Sequence, residues 1–600
     1  MAADDRSRHL VATAKALKSD RSTFEDHWQD IADVFRPQAF PFTGEAPRPG
    51  EKRTSKMYDS APPLALERFA AVLEALLSPR NQVWSKLVTT DDELQDDVEV
   101  QRYLDAVNKV LFRVRYRPAS NMASQLAESY LNLGSFGTQA LYIGDDVGNA
   151  VTYRSCGLHN ILIAEDAFGR VNQVFRHYQF TAQQAMQAFV GKREGAARDA
   201  AWAKMPASIK VAYETKANTK FPFLHAVVPR EQVDAQRMDY RGMPIASFDL
   251  FMGDGSIIDE GGYRVMPYCV SRYTKNSEEI YGRSPAMLVL PGVNILNRMK
   301  KSVVRGAEQQ VDPPLMTMDD AMAPFNLESG AMNYGTLDEQ GNPTVRAFDH
   351  RADVKLGVDL MEMERRDVRD AFLLDVFQVM MQSPRLNMLQ LMEIAKEKAA
   401  LLGPMMGRQQ TELFGPMTER ELDILTQAGM LPPMPEALIN AGAEVTIEYL
   451  SPMSLAQRAE TGVSIMRTLE AVIPLTQTEE GKGALRVFNI EETVRELAQI
   501  NNYPAKALRS EQEVKALDEE AIDKHRGEQS RAATVRRILR RGMLLFLLGF
   551  VYHGGLAAKW PEVRFSGVLQ MIAACRARST VFAAATGRSD KTGKAERDKG

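Results

Sequence analysis

The chain has 600 residues, 44% of them hydrophobic and 25% charged; Lys+Arg total 74 and Asp+Glu 78, a formal charge of -4. Length and composition imply a folded protein of about three to five structural units. The near balance of charge excludes a protein that coats nucleic acid with its whole surface, while leaving room for a local basic stripe. Cys156, Cys269 and Cys575 form no CxxC pair, so neither a disulfide framework nor a structural zinc site is expected. The start, Met1-Ala2-Ala3-Asp4-Asp5-Arg6, lacks the apolar core of a signal peptide.

In chain order, residues 8–36 read as one helix, with Phe24, Trp28, Ile31 and Phe35 on one face and Arg36-Pro37 ending it. Residues 37–50, rich in Pro and Gly, read as a loop. Helices follow at 62–77, stopped by Ser78-Pro79, and from Val100 to Val114. A fourth runs from Met122 to Gly134. Residues 138–272 change texture to short β-like runs such as Ala140–Ile143 and Val171–Tyr178, with a hairpin signal at Gly253-Asp254-Gly255. A helical insert, 181–218, opens on the capping residue Thr181.

From 284 onward the pattern is mainly helical again. Ser284-Pro285 is a start signal, Pro291-Gly292 an expected interruption, and 293–310 a helix. Residues 311–351 read as irregular and β structure. A long helix is expected over 353–381, with Glu362/Arg366 and Arg366/Asp370 as i,i+4 pairs, broken at Gln382-Ser383-Pro384. Residues 387–428 keep a helical pattern divided by Gly403-Pro404 and Gly415-Pro416. Further helices are expected at 454–471, 490–500 and 510–541.

Chemistry is sparse. A phosphate loop needs GxxxxGK[ST], so that backbone amides and a lysine converge. The nearest stretch, Gly44 to Gly50 with Lys52, is one residue too long and carries Pro47 and Pro49. HExxH and GxSxG do not occur, the eight histidines share no metal-binding helical spacing, and Asp319-Asp320 reads as a solvated loop. No catalytic residue, metal or cofactor is assigned. The apolar run Met543 to Tyr552 follows Arg536-Arg537 and Arg540-Arg541, but at ten residues it is too short for a span of about 20. No stable membrane span is expected.

Four stretches carry a resemblance. The first is Gly50-Glu51-Lys52-Arg53-Thr54-Ser55-Lys56-Met57-Tyr58-Asp59-Ser60, leading through Ala65-Leu66-Glu67-Arg68-Phe69 to Leu77-Ser78-Pro79-Arg80-Asn81-Gln82-Val83-Trp84. The others are Tyr281-Gly282-Arg283-Ser284-Pro285-Ala286, Arg305-Gly306-Ala307-Glu308-Gln309-Gln310-Val311-Asp312-Pro313-Pro314-Leu315, and Leu401-Leu402-Gly403-Pro404-Met405-Met406-Gly407-Arg408. In this order, over roughly residues 8–530, they resemble the portal proteins, or head-to-tail connectors, of short-tailed bacteriophages. Two departures stand out. Leu386 to Gln390 replaces the family's usual stretch, and the last 60 residues differ from its polar C-terminal end.

The resemblance implies an α+β, mainly helical ring subunit with wing, two-helix stem, clip and C-terminal helical crown. Laid on this chain, 1–283 is the wing, 284–310 a stem helix, 311–351 the clip and 352–382 the second stem helix. Residues 383–500 are the channel loop and return to the wing, and 501–600 the crown with an atypical tail. It also implies a homo-oligomer of twelve at the capsid vertex of the virion, assembled in the host cytoplasm. Double-stranded DNA would pass through it, with the packaging terminase, tail adaptor, capsid and scaffolding proteins as partners. A structural conduit rather than an enzyme is the expectation; the alternatives are a DNA-packaging ATPase or nuclease and a membrane-associated pore.

Candidate DNA-channel contacts follow from helix periodicity. Arg298, Lys301 and Arg305 fall within about 60° of arc and about 10 Å of axis. Ile295, Leu296, Met299 and Val303 are expected on the other side. The competing readings of these cations are a solvated outer face, or salt bridges between subunits to the acidic half of helix 353–381. Arg385 is a further channel candidate, because the resemblance places a channel-lining loop nearby.

Overall fold

The computed structural model describes residues 3–317, 354–374 and 403–450, a few positions within these ranges excepted, together with scattered positions in 326–347 and 462–497. Residues 1–460 form one compact unit and 461–600 a second, and every element described belongs to the first. The structure is α+β.

The expected helix 8–36 is two helices, α1 (Ala3–Asp20) and α2 (Ser22–Phe35), broken at Arg21. The physical reason is the Arg21 guanidinium, which is buried and donates to the carbonyls of Leu158, His159 and Ile161 while pairing with Glu25 at 2.7 Å. Satisfying that charge inside the protein costs the helix its continuity. The apolar face of α2 then buries Trp28, Ile31 and Phe35.

Next come α3 (Ala61–Leu77), strand β1 (Ser85–Thr89), α4 (Val98–Arg115) and α5 (Met122–Phe136). α5 runs two residues past Gly134 and ends on Gly137, whose φ of 75° is the left-handed cap glycine adopts readily. A Cβ at Gly137 would collide with the Gly282 backbone, so this turn and the Tyr281-Gly282 turn touch main chain to main chain.

The β-rich part holds two antiparallel sheets. β2 (Thr138–Asp146) is central between β3 (Ala150–Cys156) and β9 (Tyr268–Arg272). The second sheet is a meander of β4 (Ile161–Glu165), β5 (Val171–Thr181), β6 (Lys220–Pro229), β7 (Ile245–Phe251) and β8 (Ile257–Tyr263). The insert between β5 and β6 is three helices: α6 (Ala182–Phe189), α7 (Gly195–Lys204) and α8 (Ala207–Thr215). Thr181 and Gln184 close a reciprocal cap at its start.

One rung across four strands of the meander carries Arg176, His225, Asp249 and Asp259. His225 bonds the Tyr268 hydroxyl of the other sheet at 2.7 Å and Ser247 at 2.9 Å, and Tyr178 donates to Asp249 at 2.8 Å. Buried polar groups are thereby satisfied between the sheets.

Candidate functional site: a helical hairpin and its anchors

Two helices form a hairpin: α9 (Pro285–Val311) and α10 (Val354–Ala371). Ser284 caps α9 by accepting from Met287 N at 3.0 Å, and its hydroxyl donates to Ser135 O at 2.7 Å, so the cap also fastens the helix to α5. The expected interruption at Pro291-Gly292 does not occur; α9 is continuous through Pro291. Ala286, Met287, Leu290, Val293 and Leu296 make one buried stripe across the proline, and packing along it outweighs one missing backbone hydrogen bond.

The helices approach closely at glycines. A Cβ on Gly357 would lie 2.7 Å from Val303 Cγ2, and one on Gly292 would meet Glu364. Beyond α9, β10 (Leu315–Thr317) pairs antiparallel with β11 (Val345–Ala347), which leads toward α10. α10 ends at Ala371, short of the expected 381; residues 375–381 lie outside the described residues. Leu373 turns into the left-handed region at φ 56°, and Phe372 is inserted between Phe35 and Phe69 at ring distances of 5.7 and 5.5 Å. Core burial of that ring ends the helix.

The hairpin is held by the 54–60 loop. Asn297 Oδ1 accepts from Tyr58 N at 3.0 Å and Asp59 N at 3.1 Å, and Arg365 Nη2 donates to Asp59 Oδ2 at 2.7 Å. Burial pushes the Asp59 carboxyl up, but Arg365 and the Ala61 N–H outweigh it and hold the group below the ordinary carboxylate value. The expected pairs Glu362/Arg366 and Arg366/Asp370 are replaced: Glu362 pairs with Arg365 at 3.5 Å and Arg369 at 3.1 Å, and Arg366 is exposed.

The sequence's cations fall as follows. Arg298 and Arg305 are exposed on one face of α9. Lys301 is turned aside, its ammonium 5.2 Å from the Tyr58 ring. Arg385 and Asp319-Asp320 lie outside the described residues. Leu296, Met299 and Val303 are buried or half-buried, whereas Ile295 is 48% exposed.

The segment returning after the hairpin is helical over 403–409, passes through a π turn (Gln410–Phe414) and continues as α11 (Gly415–Gln427). The division expected at Gly415-Pro416 is absorbed by that turn, a usual accommodation of a lost amide. After α12 (Glu436–Ala441), strand β12 (Val445–Tyr449) pairs antiparallel with β1. Two buried arginines hold this returning segment. Arg115 meets Glu421 at 2.7 Å and donates to Ser85 and Thr418, both at 2.8 Å. Arg272 meets Glu412 at 2.9 Å and also pairs with Glu165.

Among the described residues this arrangement assembles no catalytic constellation. Among the described residues no group of three or more His, Cys, Asp or Glu has metal-binding geometry. Cys156 and Cys269 are buried, which pushes both thiols up and away from reactivity. Among the described residues no helix is long and apolar enough to cross a membrane, and the run 543–552 lies outside them.

The family model of the bacteriophage head to tail connecting protein matches residues 7–508. The chain belongs to that family. Two curated relatives agree. The probable portal protein of Bordetella phage BPP-1 is 26% identical over 78% of this chain and 82% of its own length. The portal protein of Salmonella phage epsilon15 is 24% identical over 89% of this chain and 93% of its own length. Two solved structures are similar at 10% identity. The neck of an empty gene transfer agent particle covers 68% of this chain and 86% of its own, with a TM-score of 0.34. A native gene transfer agent virion covers 69% and 86%, with a TM-score of 0.33. The connector is thus a virion component at the capsid vertex, in a structural family, with capsid and tail proteins as its setting. Three of the four stretches that carried the resemblance have structural tasks here. Residues 54–60 anchor the hairpin, Tyr281 to Pro285 make the turn and cap that launch it, and Arg408 meets Glu412 at 3.2 Å beside Arg272.

Proposed function

We propose that this connector assembles into a ring of twelve through which double-stranded DNA enters and leaves the capsid, and that it catalyses no reaction itself. The observation that carries the reading is the α9–α10 hairpin, fixed by its base to the wing and extended at its far end by the β10–β11 ladder. In this reading α9 and α10 are the stem and residues 311–351 the clip. Residues 1–283 are the wing, 383–500 the channel loop and return, and 501–600 the crown and tail. The packaging terminase docks on the clip, and tail adaptors join the same ring after packaging.

A moving duplex needs weak, sequence-independent phosphate contacts, whose strength falls with salt. Arg385 in the channel loop is a proposed contact of this kind. Lys301 is engaged by Tyr58, and Arg298 and Arg305 are within reach of either a duplex or a neighbouring subunit. Electron microscopy of the purified protein tests the assembly: closed twelve-fold rings support it, and a strict monomer across micromolar concentrations and salts overturns it.

A further inference from the structure

We infer that the two outer edges of the hairpin are the two halves of one head-to-tail contact, the α9 edge of one copy meeting the α10 edge of the next. The inference rests on the ring reading and names the residues that make the contact. Asn297 and Arg365 both turn toward the 58–59 loop, so that flank of the hairpin is covered. At about 100° per residue, Ile295 lies opposite Asn297 on α9, with Arg298 and Arg305 about a quarter-turn from Asn297, on the side turned away from the α10-facing Gly292 and Val303; on α10, Asp359, Leu360, Met363, Arg366 and Asp370 lie about 100–160° from Arg365.

This uncovered flank is apolar as well as charged. Leu288 is 77% exposed, Ile295 48%, Leu360 43% and Met363 63%. Large apolar side chains in a row on a helix surface fit a protein partner better than a phosphate backbone. The two edges are opposite in sign. Arg298 and Arg305 stand on α9; on α10 the exposed Asp359, Asp367 and Asp370 outnumber the exposed Arg366 beside them, so that edge is acidic on balance, and Arg298, Arg305, Asp359 and Asp370 have no salt-bridge partner among the described residues. An acidic α10 edge repels DNA and complements the basic α9 edge of a second copy. Because the complementary edges differ, the contact is heterologous, and repeated rotation closes it into a ring.

Heights agree as well. Gly292 lies opposite Glu364 and Val303 opposite Gly357, so Ile295 is level with Met363, and Arg298 with Asp359 and Leu360. A ring axis running along the hairpin preserves these heights from copy to copy. Ile295 therefore meets the neighbour's Met363, and Arg298 the neighbour's Asp359.

The test is charge exchange in the full chain, read by native mass spectrometry and microscopy. Arg298→Glu and Asp359→Arg, made separately, are expected to lower the ring population about tenfold or more at micromolar protein, the scale of a coupled interfacial charge pair. Both changes in one chain are expected to restore rings. As a second measurement, Ile295→Cys and Met363→Cys chains are mixed and oxidised; linked pairs carrying one of each are expected. Single variants that assemble like the parent, or mixtures that never link, overturn the inference. If those variants assemble normally and fail only in salt-sensitive DNA packaging, Arg298 serves the duplex and the edge pairing is wrong. A parent chain that forms no ring overturns the ring reading itself and the edge pairing with it.

Discussion

Arg365 Nη2 donates to Asp59 Oδ2 at 2.7 Å, tying α10 to a loop 306 residues earlier in the chain. Asp59 is 4% exposed, so removing the guanidinium strands a carboxylate with little water. Arg365→Gln is expected to cost about 1–3 kcal/mol, the range for a buried group left unsatisfied. The dependence on pH has a defined sign. Asp59 titrates below its ordinary value when folded, so its contribution is present above the unfolded value of 3.8 and is lost as pH falls through the folded value. Denaturant midpoints of parent and Arg365→Gln measured from pH 7 to pH 3 should converge in acid; parallel curves would show that the pair does not contribute.

Arg115 and Glu421 are each 1% exposed and meet at 2.7 Å. Arg115 also lies over the Trp84 ring at 4.6 Å, and Tyr153 donates to Glu421. Breaking a buried pair from one side costs about 3–5 kcal/mol, because the remaining charge is uncompensated. Glu421→Gln, and more so Arg115→Met, should therefore detach α11 from α4 and β1. The apolar double change Arg115→Met with Glu421→Leu should be milder than Arg115→Met alone. Chemical denaturation of the three variants checks the order; a double variant worse than the single would mean the pair's charges stabilise rather than merely satisfy one another.

The large helical faces were legible because burial follows their periodicity. Phe24, Trp28, Ile31 and Phe35 share a face, and the last three of them are at most 2% exposed. Ser284-Pro285 announced α9 for the reason it works, an oxygen for orphan amides and a ring with a suitable φ. What remained hidden depends on partners distant in sequence. Arg21 breaks a helix to reach carbonyls at 158–161, and Phe372 ends one to enter a core made by α2 and α3. β1 and β12 were missed because neither segment alternates cleanly, and each is a strand only through the other. Asn297 had a weak signal, an amide in the middle of an amphipathic helix. Its task was invisible until Tyr58 and Asp59 were seen to donate to it.

His159 stacks on Phe40 with ring centroids 4.4 Å apart, close to the Arg21 that donates to its carbonyl. Burial, then Arg21, depresses its imidazole from 6.5 to about 4. The folded state holds the ring neutral while the unfolded chain protonates it. Stability is thus whole above about 6.5 and falls as pH drops toward 4. His159→Gln should flatten part of that fall, because His27, His177 and His225 are depressed too and keep their share. Thermal midpoints at pH 7 and pH 5 decide it: an equal drop in parent and variant would remove His159 from the account.

The glycines of the hairpin make opposite predictions. At Gly292 an added Cβ meets the end of Glu364, a flexible side chain that swings away into solvent. Gly292→Ala should therefore be neutral or stabilising by up to about 1 kcal/mol, the difference in helix propensity. At Gly357 the obstacle is Val303 Cγ2, 2.7 Å from the built Cβ. A β-branched side chain on a packed helix has one preferred rotamer and nowhere to turn. Gly357→Leu should push α9 and α10 apart and cost about 1–3 kcal/mol, as overpacking does. Val303→Ala in the same chain removes the obstructing methyls and should recover most of that loss. A double-mutant cycle on unfolding free energy measures the coupling, and a coupling near zero would mean that the two helices do not meet at this pair.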